Sequence, residues 1–489
     1  MSGFGASRRA NPGESGALRR WAVLGGAAAL VAVVGGVAVQ GAARGPAVQG
    51  PPALASGVLP AARGLGSTWF CPGGTGTTGG AAATVVVSDP AGPAVTGELT
   101  ATSSTGRSRT VPLRVPSGRQ VGIGLAGLVP GPWVSATVTL DRAGVAVGET
   151  VAGAAGWAAA PCVATTASTW YLPPGSTAGG DQLLVAVADP TATTAVVDTT
   201  LLRAGAGRLS PSSLQGVTVP AHGVVVESLD EVDVGDPSVA PVVSALSGTV
   251  VAAGVEVAQS GGASGVALLD GVPRPVRDWT VPMVTGEPAG AVTVPIVNPG
   301  PKTARVTVVA RSVQGSEATG TLTVGPGEQE LVPAGLLRAA TAGGAGSLAV
   351  RSRNGEGVVV ARRTSGSASF GAPQVGTVLG VPSRGARTWL LPAVEAPATA
   401  PIGLGLVDLG RAPAQVEIEG NAPGQATPSV LARLTVEPGA PLERLGSVPG
   451  DLGLVPTELQ ASQPVAVEID PGGVGLYGVS VLPSQPVLP

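Results

Sequence analysis

One histidine, His222, and two cysteines, Cys71 and Cys162, are the whole supply of imidazole and thiol in this chain of 489 residues. A Ser-His-Asp or Cys-His system would have to recruit that histidine. VPAHGVVV (219–226), however, reads as a turn between two short strands, which other parts of the chain build without histidine. His222 is therefore expected to be a turn residue. No GxSxG elbow occurs, since GASGV (262–266) and SGSAS (365–369) lack its glycine spacing. VNPGPKT (297–303) has a superficial likeness to a phosphate loop, but Pro301 separates Gly300 from Lys302 and no helix follows. Two cysteines 91 residues apart and one histidine cannot make a four-ligand structural zinc site.

Carboxylates are the remaining chemistry. ESLDEVDVGD (227–236) offers Glu227, Asp230, Glu231, Asp233 and Asp236, an oxygen-rich run of the kind that can hold calcium outside cells. Its spacing does not follow the alternate-position ligand pattern of an EF-hand, so a solvated loop is the expectation, with calcium binding left open. An enzyme built on two converging carboxylates is the third-ranked function, because nothing in the sequence brings two such groups together. No catalytic, cofactor-binding or metal-binding residue is assigned, no cofactor is expected, and the chain is read as a non-enzyme.

The residues around these groups set the compartment. Residues 21–39, WAVLGGAAALVAVVGGVAV, carry no charge and follow Arg8, Arg9, Arg19 and Arg20. At about 1.5 Å per helical residue this run spans a hydrocarbon core about 30 Å thick. Positive residues on its near side predict a cytoplasmic basic tail (1–20), a transmembrane signal anchor (21–39) and an extracytoplasmic remainder in a single-pass plasma membrane protein. Secretion after signal cleavage is the alternative, since QGAARG follows. An oxidising exterior favours a Cys71–Cys162 disulfide. Closing that loop is worth about 4–5 kcal/mol in the chain-entropy model. Residues 40–66 have the composition of a Pro/Gly/Ala linker that could reach about 80 Å when extended.

Composition narrows the partners. Charged residues are 12% of the chain, net charge is −3, and no block of like charge occurs, so no nucleic acid is expected. Gly 76 and Pro 46 are high, yet the hydrophobic fraction of 44% is enough to bury a core.

The strongest pattern is repetition. Trp69 (STWFCP), Trp170 (STWYLP), Trp279 (DWTVP) and Trp389 (RTWLLP) recur at intervals of 101, 109 and 110 residues. An apolar strand ending in a turn follows each: ATVVVSDP (83–90), LLVAVADP (183–190), VTVPIVNP (292–299) and IGLGLVDLG (402–410). Alternating strands such as ARVTVVARS (304–312) and AQVEIEG (414–420) come next, then pairs flanking turns, among them GVTVPAHGVVVES (216–228) and ELQASQPVAVEID (458–470). A period of about 105 residues marks tandem repetition. Period-two alternation with Gly, Pro, Asn and Asp turns predicts antiparallel strands, and the count per block predicts an immunoglobulin-like β-sandwich. The fold class is therefore all-β: four tandem immunoglobulin-like β-sandwich units after one transmembrane helix, at 67–166, 167–276, 277–386 and 387–489. A β-propeller with two blades per unit is the alternative. Each indole is expected to anchor a small Val/Ala core, and the proline after it to end ladder pairing. A sugar-stacking surface is the competing use of the four rings.

With these residues in view, the chain resembles a family of exported actinobacterial proteins assigned only to a domain of unknown function. The resemblance rests on the N-terminal anchor, on STWFCPGG and STWYLPPGST, on the turns at 188–190 and 297–299, and on Cys71 and Cys162. It covers most of residues 60–485, and DWTVPMV and RTWLLPAV depart from it by lacking the Gly-rich tail. It implies export and the repeat layout and supplies no catalytic residue. The expected function is a non-enzymatic, membrane-anchored scaffold or binding protein of the bacterial cell envelope. Its partners would be the plasma membrane, through the N-terminal helix, and an envelope protein or glycan. A carbohydrate- or peptidoglycan-binding module is the second function.

Overall fold

The computed structural model describes residues 67–470, apart from 77–79, 91, 260–264, 284–291, 343, 368–372, 384, 392–402, 422–427, 440 and 446–456. The chain divides into residues 1–52 and 53–489, and every described residue lies in the second part. The basic tail, the anchor, the linker and the tail from 471 onward lie outside the described residues.

The described chain is mostly β. Block one has β1 (Ser67–Thr75), β2 (Ala82–Ser88), β3 (Val95–Ser103), β4 (Ser108–Val115), β5 (Gln120–Gly124), β6 (Trp133–Leu140), β7 (Ala146–Gly153) and β8 (Gly156–Pro161). They form two antiparallel sheets, in the orders β1-β6-β3-β4 and β5-β2-β7-β8. Alternation decides which side chains turn inward: along β1, Trp69 and Cys71 are buried, while Thr68 and Phe70 lie on the other face.

Block two repeats the order with β9 (Thr169–Tyr171), β10 (Gln182–Asp189), β11 (Ala195–Arg203), β12 (Gly207–Leu209), β13 (Val217–Val219), β14 (Gly223–Ser228), β15 (Val239–Ser247), β16 (Val251–Ala258) and β17 (Gly265–Asp270). Its sheets run β9-β15-β11-β12, with β13 also on β11, and β14-β10-β16-β17. Strand for strand this is the block-one topology with the fourth strand split in two. Block three follows it again, with Asp278–Met283, Ala304–Ser312, Glu317–Val324 and Gly346–Ser352 in one sheet, and Pro295–Asn298, Glu328–Leu331, Val359–Ser367 and Pro373–Leu379 in the other. A seven-residue helix, α1 (Ala334–Ala340), is inserted between the two sheets' strands.

Among its described residues, block four departs by joining its strands in one six-stranded sheet. ELQASQPVAVEID, expected as two strands, is one strand, Thr457–Asp470. Residues up to Ala461 pair with Ala414–Gly420, and residues from Val465 pair with Gly403–Asp408. Pro464 sits at the crossing, where the chain is leaving one ladder and entering another, so its missing N–H breaks neither.

The proline after each indole also behaves differently from expectation. β9 stops before Pro173, though Gly175 beyond it still bridges Val239, and Pro392 after Trp389 lies outside the described residues. In β1 the ladder continues past Pro72 through a bulge between Cys71 and Gly74. In Asp278–Met283, Pro282 stays paired to Ser347 on one side, while the strand on the other side pairs only with Trp279 and Thr280. Pro282 is buried there, and its carbonyl accepts from Arg362 Nη1 at 2.9 Å.

The blocks are joined by shared cores. Val255, Val257, Val266 and Leu268 of block two belong to the apolar cluster around Trp69 and Trp133. Leu202, Ala240, Val242 and Val272 join the cluster around Trp279, and Val378 and Val381 join that around Trp389. The last strands of successive blocks touch: a β-carbon on Gly265 would come within 2.7 Å of the Val375 backbone nitrogen. A side chain at Gly265 would force those two strands apart.

Candidate ligand-binding cleft

The four recurring indoles are interior groups. Trp170 and Trp279 are 0% exposed, and Trp69 and Trp389 are 2% exposed. Trp170 Nε1 donates to the Val250 carbonyl at 2.7 Å, and Trp279 Nε1 to the equivalent Val358 carbonyl at 2.9 Å. Trp389 Nε1 donates to the Ala386 carbonyl at 3.0 Å and Trp69 Nε1 to Ser67 Oγ at 3.2 Å. Rings held this way have no face for a sugar to stack on, so the stacking use of these four residues is set aside.

Cys71 and Cys162 form a disulfide with Cα atoms 4.6 Å apart. Glu149, from β7, lies against it, and one ligand atom from each of Cys71, Glu149 and Cys162 falls within 4.8 Å of the others. Both sulfurs are spent on the S–S bond, so this trio is not a thiolate metal site. Burial pushes the Glu149 carboxyl up to about 8, against the pull of the Gly73 N–H that donates to it at 2.9 Å, and the Asp270 charge adds to the rise. Burial raises Asp270 to about 7.

A cavity of about 490 Å3 opens between block one and the turns of block two. One wall is the outward face of β1, β6, β3 and β4. Cross-strand register puts its residues in rows: Thr102 opposite Ser108 and Ser135, then Thr100 opposite Thr110 and Thr137, with Phe70 next to Thr137. The following row carries Glu98 opposite Thr139, and Thr139 opposite Thr68. Nearly every side chain on this wall ends in a hydroxyl, and Phe70 is its aromatic patch. Such a face is both donor and acceptor throughout.

The facing wall is built by the ends of β10 and β14, with Asp189, Pro190, His222 and Gly223. His222 has φ 53°, alone among the described non-glycine residues in having a positive φ. At the same turn the other blocks place Gly118 (φ 64°), Gly327 (φ 71°) and Gly439 (φ 67°). The turn demands the left-handed region, and block two meets that demand with an imidazole at the mouth of a cleft.

The acidic run is absorbed by its own block. Asp230 Oδ1 accepts from the Leu183 N–H at 3.2 Å and from Ser228 Oγ at 3.1 Å. Asp233 lies 3.6 Å from Arg203, and Asp236 Oδ1 accepts from the Ser238 N–H at 2.9 Å. Glu227 faces inward, and burial lifts it to about 7 while Thr199 pulls the other way. Asp230, Asp233 and Asp236 thus have separate partners, whereas neither Glu227 oxygen has a hydrogen-bond partner among the described residues, and the Asp236 charge adds to burial in raising Asp233. Lys302, in VNPGPKT, lies 3.9 Å from Glu356 in a turn.

The hydroxyl wall was not singled out in the sequence. Its signal is there in ELTAT (98–102) and SATVT (135–139), where threonines and serines hold the alternate positions that leave the core.

No curated protein matches the chain. A solved structure described as the crystal structure of a tetra-tandem repeat in the extending region of a large adhesion protein is similar at 12% identity, over 85% of this chain and 97% of that one, with a TM-score of 0.10. A protein-family match runs over residues 143–441 and so through most of blocks two to four. On that match the chain belongs to a family of unknown function (DUF5719).

Proposed function

We propose that this chain is a membrane-anchored scaffold and binding protein of a bacterial cell envelope, with four Trp-headed, immunoglobulin-like sandwiches carrying a cleft for a neutral, polyhydroxylated ligand such as a cell-wall glycan. The observation that carries the binding half is the cleft wall, in which Thr68, Thr100, Thr102, Thr137 and Thr139 line one face together with Phe70. Rows of hydroxyls matched by an apolar ring suit a sugar, which presents hydroxyls at its rim and C–H groups on its face. The scaffold half draws support from the shared cores, which stiffen the array against bending at block boundaries. The apolar run at 21–39 supports the anchor, and the disulfide is in keeping with an oxidising compartment.

The test is cosedimentation of the detergent-solubilised full chain with purified cell-wall sacculi. Wild type should pellet with the walls. The Thr100→Val/Thr137→Val pair should weaken pelleting at least tenfold without changing the melting temperature by more than a few degrees, and Phe70→Ala should weaken it as much while also lowering the melting temperature, because Phe70 packs on the block-two core. Retention of full wall binding by both variants would rule out the cleft.

A further inference from the structure

Each block carries an Asp or Asn at the end of its second strand or one residue past it, six residues before the third: Asp89 before Val95, Asp189 before Ala195, Asn298 before Ala304 and Asp408 before Ala414. All four are buried, at 1% exposure or less. In three of them the side chain is fixed by the same bond, with Oδ1 accepting from the backbone N–H two residues on: Thr191 to Asp189 at 2.8 Å, Gly300 to Asn298 at 3.1 Å and Gly410 to Asp408 at 2.7 Å. That shared orientation puts the second side-chain atom of each in the same place.

In block three that atom is the Asn298 amide nitrogen, and it faces only acceptors. It donates to the carbonyls of Lys302 (2.8 Å), Val324 (3.0 Å) and Gly325 (2.9 Å). Strand register is conserved between blocks, with Ala195 opposite Val219 and Ala414 opposite Val436 as Ala304 is opposite Val324. By offset and register Thr193, Val219 and Pro220 are the counterparts of Lys302, Val324 and Gly325, and so are Ala412, Val436 and Glu437; the Thr193 carbonyl also accepts from Thr191 Oγ1 at 3.0 Å. In blocks two and four an oxygen replaces the amide nitrogen there. Asp189 Oδ2 and Asp408 Oδ2 are buried with no hydrogen-bond partner.

An ionised oxygen aimed at carbonyl oxygens in a dry interior is strongly unfavourable unless something positive lies between them. Block one supplies it from within the chain. Arg142 pairs with Asp89 and also donates to the Pro93 carbonyl at 3.1 Å, and Pro93 holds the position of Lys302. A guanidinium there joins the carboxylate to the turn carbonyl. A bare proton would answer the problem less well, because one O–H serves one acceptor where the Asn298 amide serves three.

We propose that the turns after the second strands of blocks two and four each bind one hard, oxygen-seeking cation of the calcium class, held by Asp189 and by Asp408 through the carboxylate oxygen left without a protein donor and by the neighbouring backbone carbonyls. Such a cation takes several oxygen ligands at once and accepts carbonyls and carboxylates together. A single carboxylate per site sets the affinity at about 10⁻⁴–10⁻³ M, the range of extracellular modules. Asp189 also forms part of the cleft wall, so the block-two cation would brace the ligand cleft.

The experiment is thermal melting of the full chain in detergent, in EDTA and in 5 mM calcium chloride, together with equilibrium dialysis against radioactive calcium. Wild type should bind about two calcium ions per chain and melt a few degrees higher with calcium. Asp189→Asn/Asp408→Asn should melt above wild type in EDTA, bind no calcium at these sites and lose the calcium shift, because the amide supplies the donors as Asn298 does. Asn298→Asp should add one calcium ion per chain. A wild type indifferent to calcium, with the double variant more stable at every calcium level, would mean that the two carboxyls hold protons and would overturn the proposal. A calcium shift that survives in the double variant would overturn it as well. Dialysis of the wild type alone decides the matter if a variant fails to fold, since fewer than about one bound calcium per chain contradicts both sites.

Discussion

Arg363 and Glu256 make a two-pronged ion pair across the junction of blocks two and three, 107 residues apart in sequence. Arg363 Nη1 donates to Glu256 Oε2 and Nη2 to Oε1, each at 2.5 Å, and Nη1 reaches the Pro174 carbonyl at 3.4 Å. The Glu256 side chain is fully buried and that of Arg363 is 12% exposed. Parallel N–H···O bonds of this kind fix an angle as well as a distance. The pair therefore sets how block three is turned against block two.

Removing one partner from a buried pair strands the other charge, and the cost runs to about 3–5 kcal/mol. Glu256→Gln is expected to lower the urea midpoint of the full chain by an amount near the lower end of that range. Its unfolding curve should also broaden or split, as blocks two and three lose their coupling. Arg363→Met with Glu256→Leu should recover much of the lost stability, because neither charge then remains buried alone. A single sharp transition in Glu256→Gln at the wild-type midpoint would show that the junction does not depend on the pair.

Stability should fall as pH rises from about 4.5 to about 8. Glu149 has an ordinary value of 4.5 and is held at about 8 in the folded chain; Glu227 is held at about 7, and Asp270 goes from 3.8 to about 7. Between those limits the native protein keeps protons that the unfolded chain has lost, so the native state binds more protons and unfolding becomes easier with each added pH unit. The stabilisation is full below the unfolded values and is gone above the folded ones, with a slope of about 1.4 kcal/mol per pH unit for each group. Urea melts at pH 5.5 and pH 8.5 read this directly. Glu149→Gln should flatten part of the slope, since the neutral amide cannot ionise against Asp270.

His222 sits at φ 53° where the other three blocks have glycine. A non-glycine residue in the left-handed region costs about 1 kcal/mol, partly offset by the greater freedom glycine has when unfolded. His222→Gly should therefore raise stability by about 0.5 kcal/mol, while Gly327→Ala should lower it by about 1 kcal/mol. Both are measured as shifts in the thermal midpoint. A loss of cell-wall binding in His222→Gly alongside the stability gain would show that the strain is kept for the cleft.

Much of this fold was legible because the indole is large and its spacing regular. Trp170 and Trp279 mark the same place in their blocks because each fills a core and donates to the carbonyl just before a later strand. What stayed hidden was decided by partners far along the chain. Pro464 reads as a break, and only the exchange of neighbours between Ala461 and Val465 makes it harmless. Thr100 and Thr137 read as solvated strand residues until register sets them in one row beside Phe70. Asp189 and Asn298 read as equivalent turn residues, and the difference between them appears only when the carbonyls of Val324 and Gly325, 26 and 27 residues downstream, face the amide.

The indole N–H bonds give a last expectation. Trp170→Phe keeps an aromatic ring in the block-two core but leaves the Val250 carbonyl without its 2.7 Å donor and opens space where the larger ring stood. An unpaired buried acceptor costs about 1–3 kcal/mol and the lost volume adds to it. The variant should be destabilised by about 2–4 kcal/mol, with Trp279→Phe behaving alike because Val358 plays the same part in block three. Trp389→Phe should cost less, since its N–H serves Ala386, three residues away in its own strand, and not a distant strand. Equal losses at all three positions would show that ring volume alone, and not the long-range N–H bond, anchors each block.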